Sequence, residues 1–328
     1  MPPAYAAAQA VLASHPTAGL MTGPTPVQEL FRFRTALGGG PRLFIKRDDL
    51  IPFGFGGNKV RKLDLVAAAA RAAGADTLVT CGGLQSNHMR VTAAAGAVLG
   101  LHVVLVANGT PPDPVTGNAL LDRILGAEVR YVARREERTA EMGRTCAELR
   151  SAGRRPYSIP LGASMPLGAL GYAKAVGELA ERDCIPDVII HATSSGGTQA
   201  GIVVGCELFD LPGRVIGVSA DDPADALATQ VRSLVTGIGD LLGVDGAELS
   251  EARAIVVDDQ FVGEGYGIPS DASREAIELL ARTEGIFLDP TYSAKAMAAL
   301  IDYIRTGRLR DDETVLFWHT GGLPALFA

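Results

Sequence analysis

Residues 76–107 read DTLVTCGGLQSNHMRVTAAAGAVLGLHVVLVA. A β-branched run at 76–80 ends in Gly82-Gly83 and a polar cluster, an Ala-rich stretch at 86–99 has helical length, and a second β-branched run follows at 102–107. Two parallel strands cannot be joined by a tight hairpin and need a crossover helix, so this segment predicts a βαβ unit. The pattern extends in both directions, with strands predicted at 43–46 and 128–132 and helices at 59–73 and 115–125. Beyond the Pro- and Gly-rich stretch 155–171, a second series has strands at 187–191, 214–219 and 314–318 and helices at 197–208, 223–242, 270–282 and 293–305. The expectation is an α/β fold of two open, twisted parallel-sheet domains with a ligand cleft between them.

Composition narrows the class. The 328 residues are 47% hydrophobic and 20% charged, a globular balance that excludes a disordered or fibrous chain. Thirty basic residues against 37 acidic ones give a net charge of −7, whereas nucleic-acid binders rely on basic surface to release phosphate counterions. The clusters Arg134/Arg135/Arg138 and Arg154/Arg155 are short and interrupted, and read as solvated faces. No nucleic-acid partner is expected, and with no run of about 20 apolar residues, no membrane partner either. Residues 1–20 lack the basic start and long apolar core of a secretory leader. Cys81, Cys146, Cys184 and Cys206 are scattered, without a CxxC pair or a histidine at ligand spacing, so the reading is a reduced, cytoplasmic protein without a metal site.

Three loops carry chemistry-bearing residues. In GGNKVRKL, residues 56–63, two glycines precede Lys59 at a helix start, where burial and the positive helix end both favour the neutral, nucleophilic amine; the local pattern also suits a solvated first-turn lysine. SSGGTQAG, residues 194–201, joins an apolar strand to a helix, and its backbone N–H groups and hydroxyls suit a phosphate, or simply a turn. GGLQSNH, residues 82–88, puts Gln, Ser, Asn and His side chains at a strand's carboxyl end, where such sheets bind ligands; Ser86 and Asn87 also suit plain helix N-caps. Near the C-terminus, Tyr266 and Tyr292 sit in Gly/Pro-rich turns, placed to move protons or to pack a core.

Together and in this order, GGNKVRKL, QSNH, SSGGT, the two tyrosine turns and HTGG resemble the pyridoxal-phosphate enzymes of the D-cysteine desulfhydrase and 1-aminocyclopropane-1-carboxylate deaminase family, over nearly the whole chain. The resemblance implies a tryptophan-synthase-β-like fold, with residues 61–170 inserted into a larger domain made of 1–60 and 171–328, and a homodimer. It implies that Lys59 forms the Schiff base with pyridoxal 5'-phosphate, that Asn87 bonds the cofactor's phenolic oxygen, and that Ser194, Ser195, Gly196, Gly197 and Thr198 hold its phosphate. Ser86 would contact the substrate carboxylate or move a proton, and Tyr266 and Tyr292 would face the substrate. Ser293 stands where the deaminase members carry Glu, and would offer the pyridine nitrogen only a neutral hydrogen bond. His88, where deaminases have Gln, points the same way, towards β-elimination and away from ring opening.

The expected activity is α,β-elimination of a small β-substituted amino acid, D-cysteine giving pyruvate, ammonia and hydrogen sulfide. The alternatives are an L-cysteate sulfo-lyase, a 1-aminocyclopropane-1-carboxylate deaminase or, in another class, a non-catalytic pyridoxal-phosphate-binding regulatory or sulfur-delivery protein. The chain has only five lysines, Lys46, Lys59, Lys62, Lys174 and Lys295, and Lys295 is the one serious rival to Lys59.

Overall fold

The computed structural model describes residues 3–180 and 185–328; Cys184 lies outside them. Ten strands run in chain order: β1 Val27–Glu29, β2 Arg42–Arg47, β3 Thr77–Gly83, β4 His102–Asn108, β5 Glu128–Val132, β6 Pro156–Ser158, β7 Val188–Thr193, β8 Arg214–Ser219, β9 Val256–Asp258 and β10 Thr314–His319. They form a six-stranded sheet of order β1-β2-β10-β7-β8-β9 and a four-stranded sheet of order β5-β4-β3-β6. Every pairing is parallel except β1 with β2. This is the expected α/β class with two parallel sheets. Strands β3, β7 and β10 are almost wholly buried, as strands covered by helices on both faces are. Their carboxyl ends deliver residues 84–88, 194–198 and 320–322, so chain direction alone brings three of the polar loops to the ligand-binding edge of the sheets.

Within the supposed Pro/Gly-rich join, the structure has strand β6 and a 15-residue helix, Pro166–Ala180. Proline is tolerated in a first helical turn, and the glycines that read as turn residues serve close packing. A Cβ at Gly171 would collide with the Arg61 carbonyl oxygen, and one at Gly201 with that of Ala169. Helices Asn58–Ala72, Pro166–Ala180 and Gly197–Leu208 therefore approach through glycine, with Tyr172, Val176, Ile202 and Val203 fully buried in the core they share. Helix Arg138–Ser151 also escapes the sequence reading, because it buries only Met142, Thr145 and Cys146. Strands β1, β6 and β9 are three residues each, too short to show alternation. No helix among the described residues is long and apolar enough to cross a membrane.

Asp48, fully buried at the end of β2, joins these layers. Its carboxylate accepts from Arg61 Nε (2.9 Å) and Nη2 (2.8 Å), Tyr172 Oη (2.6 Å), Trp318 Nε1 (2.8 Å) and Thr25 Oγ1 (2.8 Å). Glu178 completes the cluster by pairing with Arg61 (2.6 Å) and Lys46 (2.6 Å). Burial alone would raise the Asp48 pKa, but the Arg61 guanidinium and the other donors hold it below the usual carboxylate range. A depressed folded-state pKa contributes stability that is present above the unfolded value and is lost as pH falls through the folded one. Asp48→Ala leaves Arg61 without its buried partner and is expected to cost about 3–5 kcal/mol in urea unfolding at pH 7. That difference should shrink as the pH is lowered below about 4, where the wild-type carboxylate loses its advantage.

Candidate active site

The cleft between the two sheets is lined by Asn58, Lys59, Lys62, Ser86, Asn87 and His88 on one side, and by 192–196, Thr198, Tyr266, Tyr292, Thr320 and Gly321 on the other. Lys59 reaches it because Gly57 adopts φ 95°, a left-handed turn open to glycine, immediately before helix Asn58–Ala72. The turn is clamped by the far sheet, with Asn58 N–H donating to Thr320 O at 3.0 Å and Gly57 N–H to Asp48 O at 2.8 Å. A Cβ at Gly57 would lie 2.8 Å from Thr320 O, so no other residue fits.

The five lysines separate by their partners. Lys46 bonds Thr25 and Glu178, Lys174 donates to His15 O (3.2 Å), and Lys295 donates to the carbonyls of Val262 and Gly265 (both 2.7 Å). Lys62, fully buried, has two long contacts, to Gly162 O and Ser164 Oγ (both 3.3 Å). Lys59 Nζ alone has no hydrogen-bond partner among the described residues. Burial pushes its amine down to about 8. Burial and the Lys59 charge together push Lys62 well below the normal lysine range.

Lys62 was not singled out from sequence, where it reads merely as a residue one turn beyond Lys59. In the fold it stands against the 194–198 loop: a Cβ at Gly197 would lie 2.8 Å from both Lys62 Nζ and Ser164 Oγ. Ser164 Oγ in turn bonds Ser195 Oγ at 2.7 Å, and a Cβ at Gly162 would fall 2.5 Å from Ser195 Oγ and 3.4 Å from Lys59 Nζ. Gly196 takes φ 77° as N-cap of helix Gly197–Leu208, and no described residue accepts from the N–H groups of Gly196, Thr198 or Gln199. An underpaired buried amine, free N–H groups at a helix N-terminus, three serine hydroxyls and Thr198 are donors that could hold a dianionic phosphate. Thr198 is oriented by Asn58 Nδ2, 3.0 Å from its Oγ1.

Of the remaining sequence-predicted residues, Ser86 lines the cleft and also N-caps its helix, accepting from Met89 N–H at 3.3 Å. Tyr266 and Tyr292 line it too, their hydroxyls hydrogen-bonded and their rings edge to face at 5.7 Å. Burial, then the Tyr266 hydroxyl, hold Tyr292 well above the ordinary phenol range. His88 is buried against Thr80: that hydroxyl spends its one proton on Ile159 O (2.8 Å), so His88 Nε2 must donate to it (2.7 Å). Burial, then Lys59 and Lys62, depress its pKa well below the ordinary value, leaving it neutral.

Two predicted residues are not brought to the wall. Gly197 stands behind it, covered by Lys62 and Ser164. Ser293 is fully buried, its hydroxyl closing the 289–293 turn by donating to Asp289 Oδ1 (2.6 Å) while accepting from Asp289 N–H (2.8 Å). Its donor is therefore engaged within the turn. The arginine cluster 134–138 is likewise not simply a solvated face. Arg135 and Arg138 line the cleft mouth, and Arg135 pairs with Asp221 across it at 2.9 Å. Sequence gave no signal for that pairing, since the partners are 86 residues apart.

An unpartnered lysine amine and a loop suited to a phosphate, in one cleft, are what a protein that holds a phosphorylated aldehyde requires. In agreement, residues 19–321 match the family model described as "Pyridoxal-phosphate dependent enzyme", and the chain belongs to that family. It is similar in structure to an ACC deaminase homologue at 35% identity, with a TM-score of 0.90 over 100% of this chain and 97% of that one. More distant likenesses include threonine deaminase isoform 2 from Solanum lycopersicum (16% identity, TM-score 0.70, 97% of this chain and 89% of that one). A pyridoxal 5'-phosphate-dependent aspartate racemase is similar at 19% identity and TM-score 0.68, over 97% and 94% of the two chains. Those two establish the fold alone, which evidently carries both deamination and racemisation.

With its amine near 8, Lys59 should take up pyridoxal phosphate faster as pH rises. Stopped-flow absorbance on cofactor-free protein should show about a fivefold gain from pH 7 to 8 and a plateau above about 9; a flat profile would contradict the assignment. Gly197→Ala should raise the cofactor dissociation constant at least about tenfold through displacement of Lys62, with little change in far-UV circular dichroism.

Proposed function

We propose that the protein is a lyase that eliminates the β-substituent of a small amino acid, D-cysteine being the substrate the residues suit best. The observation that carries this reading is the free Lys59 amine standing in one cleft with two protonated tyrosine hydroxyls. Pyridoxal phosphate, when bound, supplies the electron sink for negative charge at the substrate's α-carbon. Lys62, Ser194, Ser195, Thr198 and the N–H groups of the 194–198 loop would hold its phosphate, and Asn87 would bond its phenolic oxygen. Lys59, weakly basic through burial, removes the α-proton. Ser86 orients the substrate carboxylate. Tyr266 and Tyr292 keep their protons at neutral pH; one proton lies in their mutual hydrogen bond and the other remains to stabilise the departing sulfur. Hydrolysis of the released enamine balances the reaction: D-cysteine and water give pyruvate, ammonia and hydrogen sulfide.

The 289–293 turn supports elimination over ring opening. It holds no glutamate, and its one carboxylate, Asp289, is saturated by the N–H groups of Thr291, Tyr292 and Ser293 and by the Ser293 hydroxyl. No carboxylate in that turn is free to keep the ring nitrogen protonated, so prompt loss of a leaving group is favoured over prolonged charge storage. A second reading, sulfite release from L-cysteate, is supported by Arg138 in the cleft wall, where a sulfonate would be attracted, and is weakened by Asp221 and Asp222, which line the same wall and pair with Arg135.

Purified protein incubated with D-cysteine should release sulfide and pyruvate in equal amounts, and Lys59→Ala should lower turnover by at least about a thousandfold. Sulfite from L-cysteate would select the second reading, and 2-oxobutyrate from 1-aminocyclopropane-1-carboxylate would overturn both.

A further inference from the structure

We propose that Arg90 is a positioning residue that fixes the Asn87 side-chain amide so that only its N–H₂ end faces the cleft. The inference rests on the reading of Asn87 as the group opposite the cofactor's phenolic oxygen. An asparagine amide has an acceptor end and a donor end that sterics barely distinguish, so something must choose between them. Arg90 Nη1 is a pure donor, and it lies 2.6 Å from one end of Asn87 and 2.6 Å from one end of Asn118. Both facing atoms must therefore be oxygens. Asn118 then turns its own Nδ2 towards Asn87 Oδ1 (3.0 Å) and Gln85 O (2.8 Å), so Asn87 Oδ1 accepts twice. Its Nδ2 has no acceptor among the described residues, and Asn87 lines the cleft.

Arg90 is itself immobilised. It is 1% exposed, with Nε donating to Gly54 O (2.9 Å) and Nη2 to Gly56 O (3.0 Å). No carboxylate among the described residues lies within 4 Å of it; four neutral oxygens converge on the planar fork, and Asp122 and Asp289 act on its charge only from further away. Lysine cannot reproduce that fork. The anchor for Asn118 is equally rigid. Its N–H donates to Gln85 Oε1 at 2.7 Å, and a Cβ at Gly117 would lie 2.5 Å from the same oxygen. Gln85 thus belongs to the frame behind the cleft, and the two carbonyls that Arg90 grips belong to the loop leading to Lys59. One guanidinium sets both the loop that carries the amine and the polarity of the group opposite the phenolic oxygen.

The test measures two properties of the holoenzyme: the dissociation constant of pyridoxal phosphate and the pH midpoint of its visible absorption band. A donor to the phenolic oxygen favours the more negative state of the cofactor, so losing it moves the midpoint upward. Asn87→Ala should raise the midpoint and weaken binding at least about tenfold. Arg90→Lys should raise the midpoint in the native background and leave it unchanged in the Asn87→Ala background, because its action passes through Asn87. Equal shifts in both backgrounds, or none from Arg90→Lys alone, would overturn the inference while leaving Asn87 in its role. No shift from Asn87→Ala would instead remove the reading of Asn87 on which it rests. Should Arg90→Lys fail to fold, Asn87→Asp decides. Its carboxylate can pair with Arg90, so its melting temperature should stay within about 3 °C of the parent while the midpoint rises; a large loss of melting temperature would show that Arg90 does not hold residue 87.

Discussion

The buried pairing of Arg61 with Asp48 is the contact on which the remaining geometry depends. Both charges are out of water, and the pair persists because every exposed valence is met: five donors converge on Asp48, and Arg61 shares its remaining N–H groups with Glu178 and Thr25. Arg61 stands two residues after Lys59 on the same helix. Pinning it to the end of β2, and through Trp318 to β10, aims the helix N-terminus at the cleft. One helix turn then serves three purposes: Lys59 supplies the free amine, Arg61 anchors, and Lys62 faces the 194–198 loop. A helix held only by apolar contacts could slide by a fraction of a turn, whereas a bidentate guanidinium–carboxylate pair fixes both rotation and depth.

The cleft also shows how two lysines one turn apart come to stand in different surroundings. Both are buried and both have depressed pKa values. Lys62 is surrounded by oxygen atoms and a helix N-terminus, an environment that recovers its charge once an anion is present. Lys59 meets no acceptor, which favours the neutral, nucleophilic amine. The difference in setting follows from the distribution of neighbouring oxygens, since the side chains are identical, and it is what the proposed division between chemistry at Lys59 and binding at Lys62 rests on.

The α/β class was legible because strands buried on both faces must be apolar along their whole length, as in VVLVA at 103–107, and parallel strands need long crossovers. The helix at Pro166–Ala180 was not, because Gly168, Gly171 and Gly177 carry turn character locally while their use is close packing, against the Ala163 carbonyl, the Arg61 backbone and the Phe209 ring respectively. The bonding of Ser293 was hidden for a related reason. A hydroxyl beside the second tyrosine suits a ligand contact, but Asp289, four residues earlier, offers a closer acceptor within the same turn. Arg135 read as solvated because its carboxylate partner comes from the other sheet's loops.

By itself the sequence determined the fold class, the identity of the polar loops and the short roster of lysines, all properties of local pattern or count. Tertiary structure alone decided which lysine is left without a partner, which glycines bring Lys62 and Ser195 together, and which end of Asn87 faces the cleft. Those outcomes depend on hydrogen-bond saturation among residues tens to hundreds of positions apart, as with Lys62 and Gly162 or Trp318 and Asp48. Donors and acceptors are written in the chain, but whether each is satisfied is settled only when the packed elements meet.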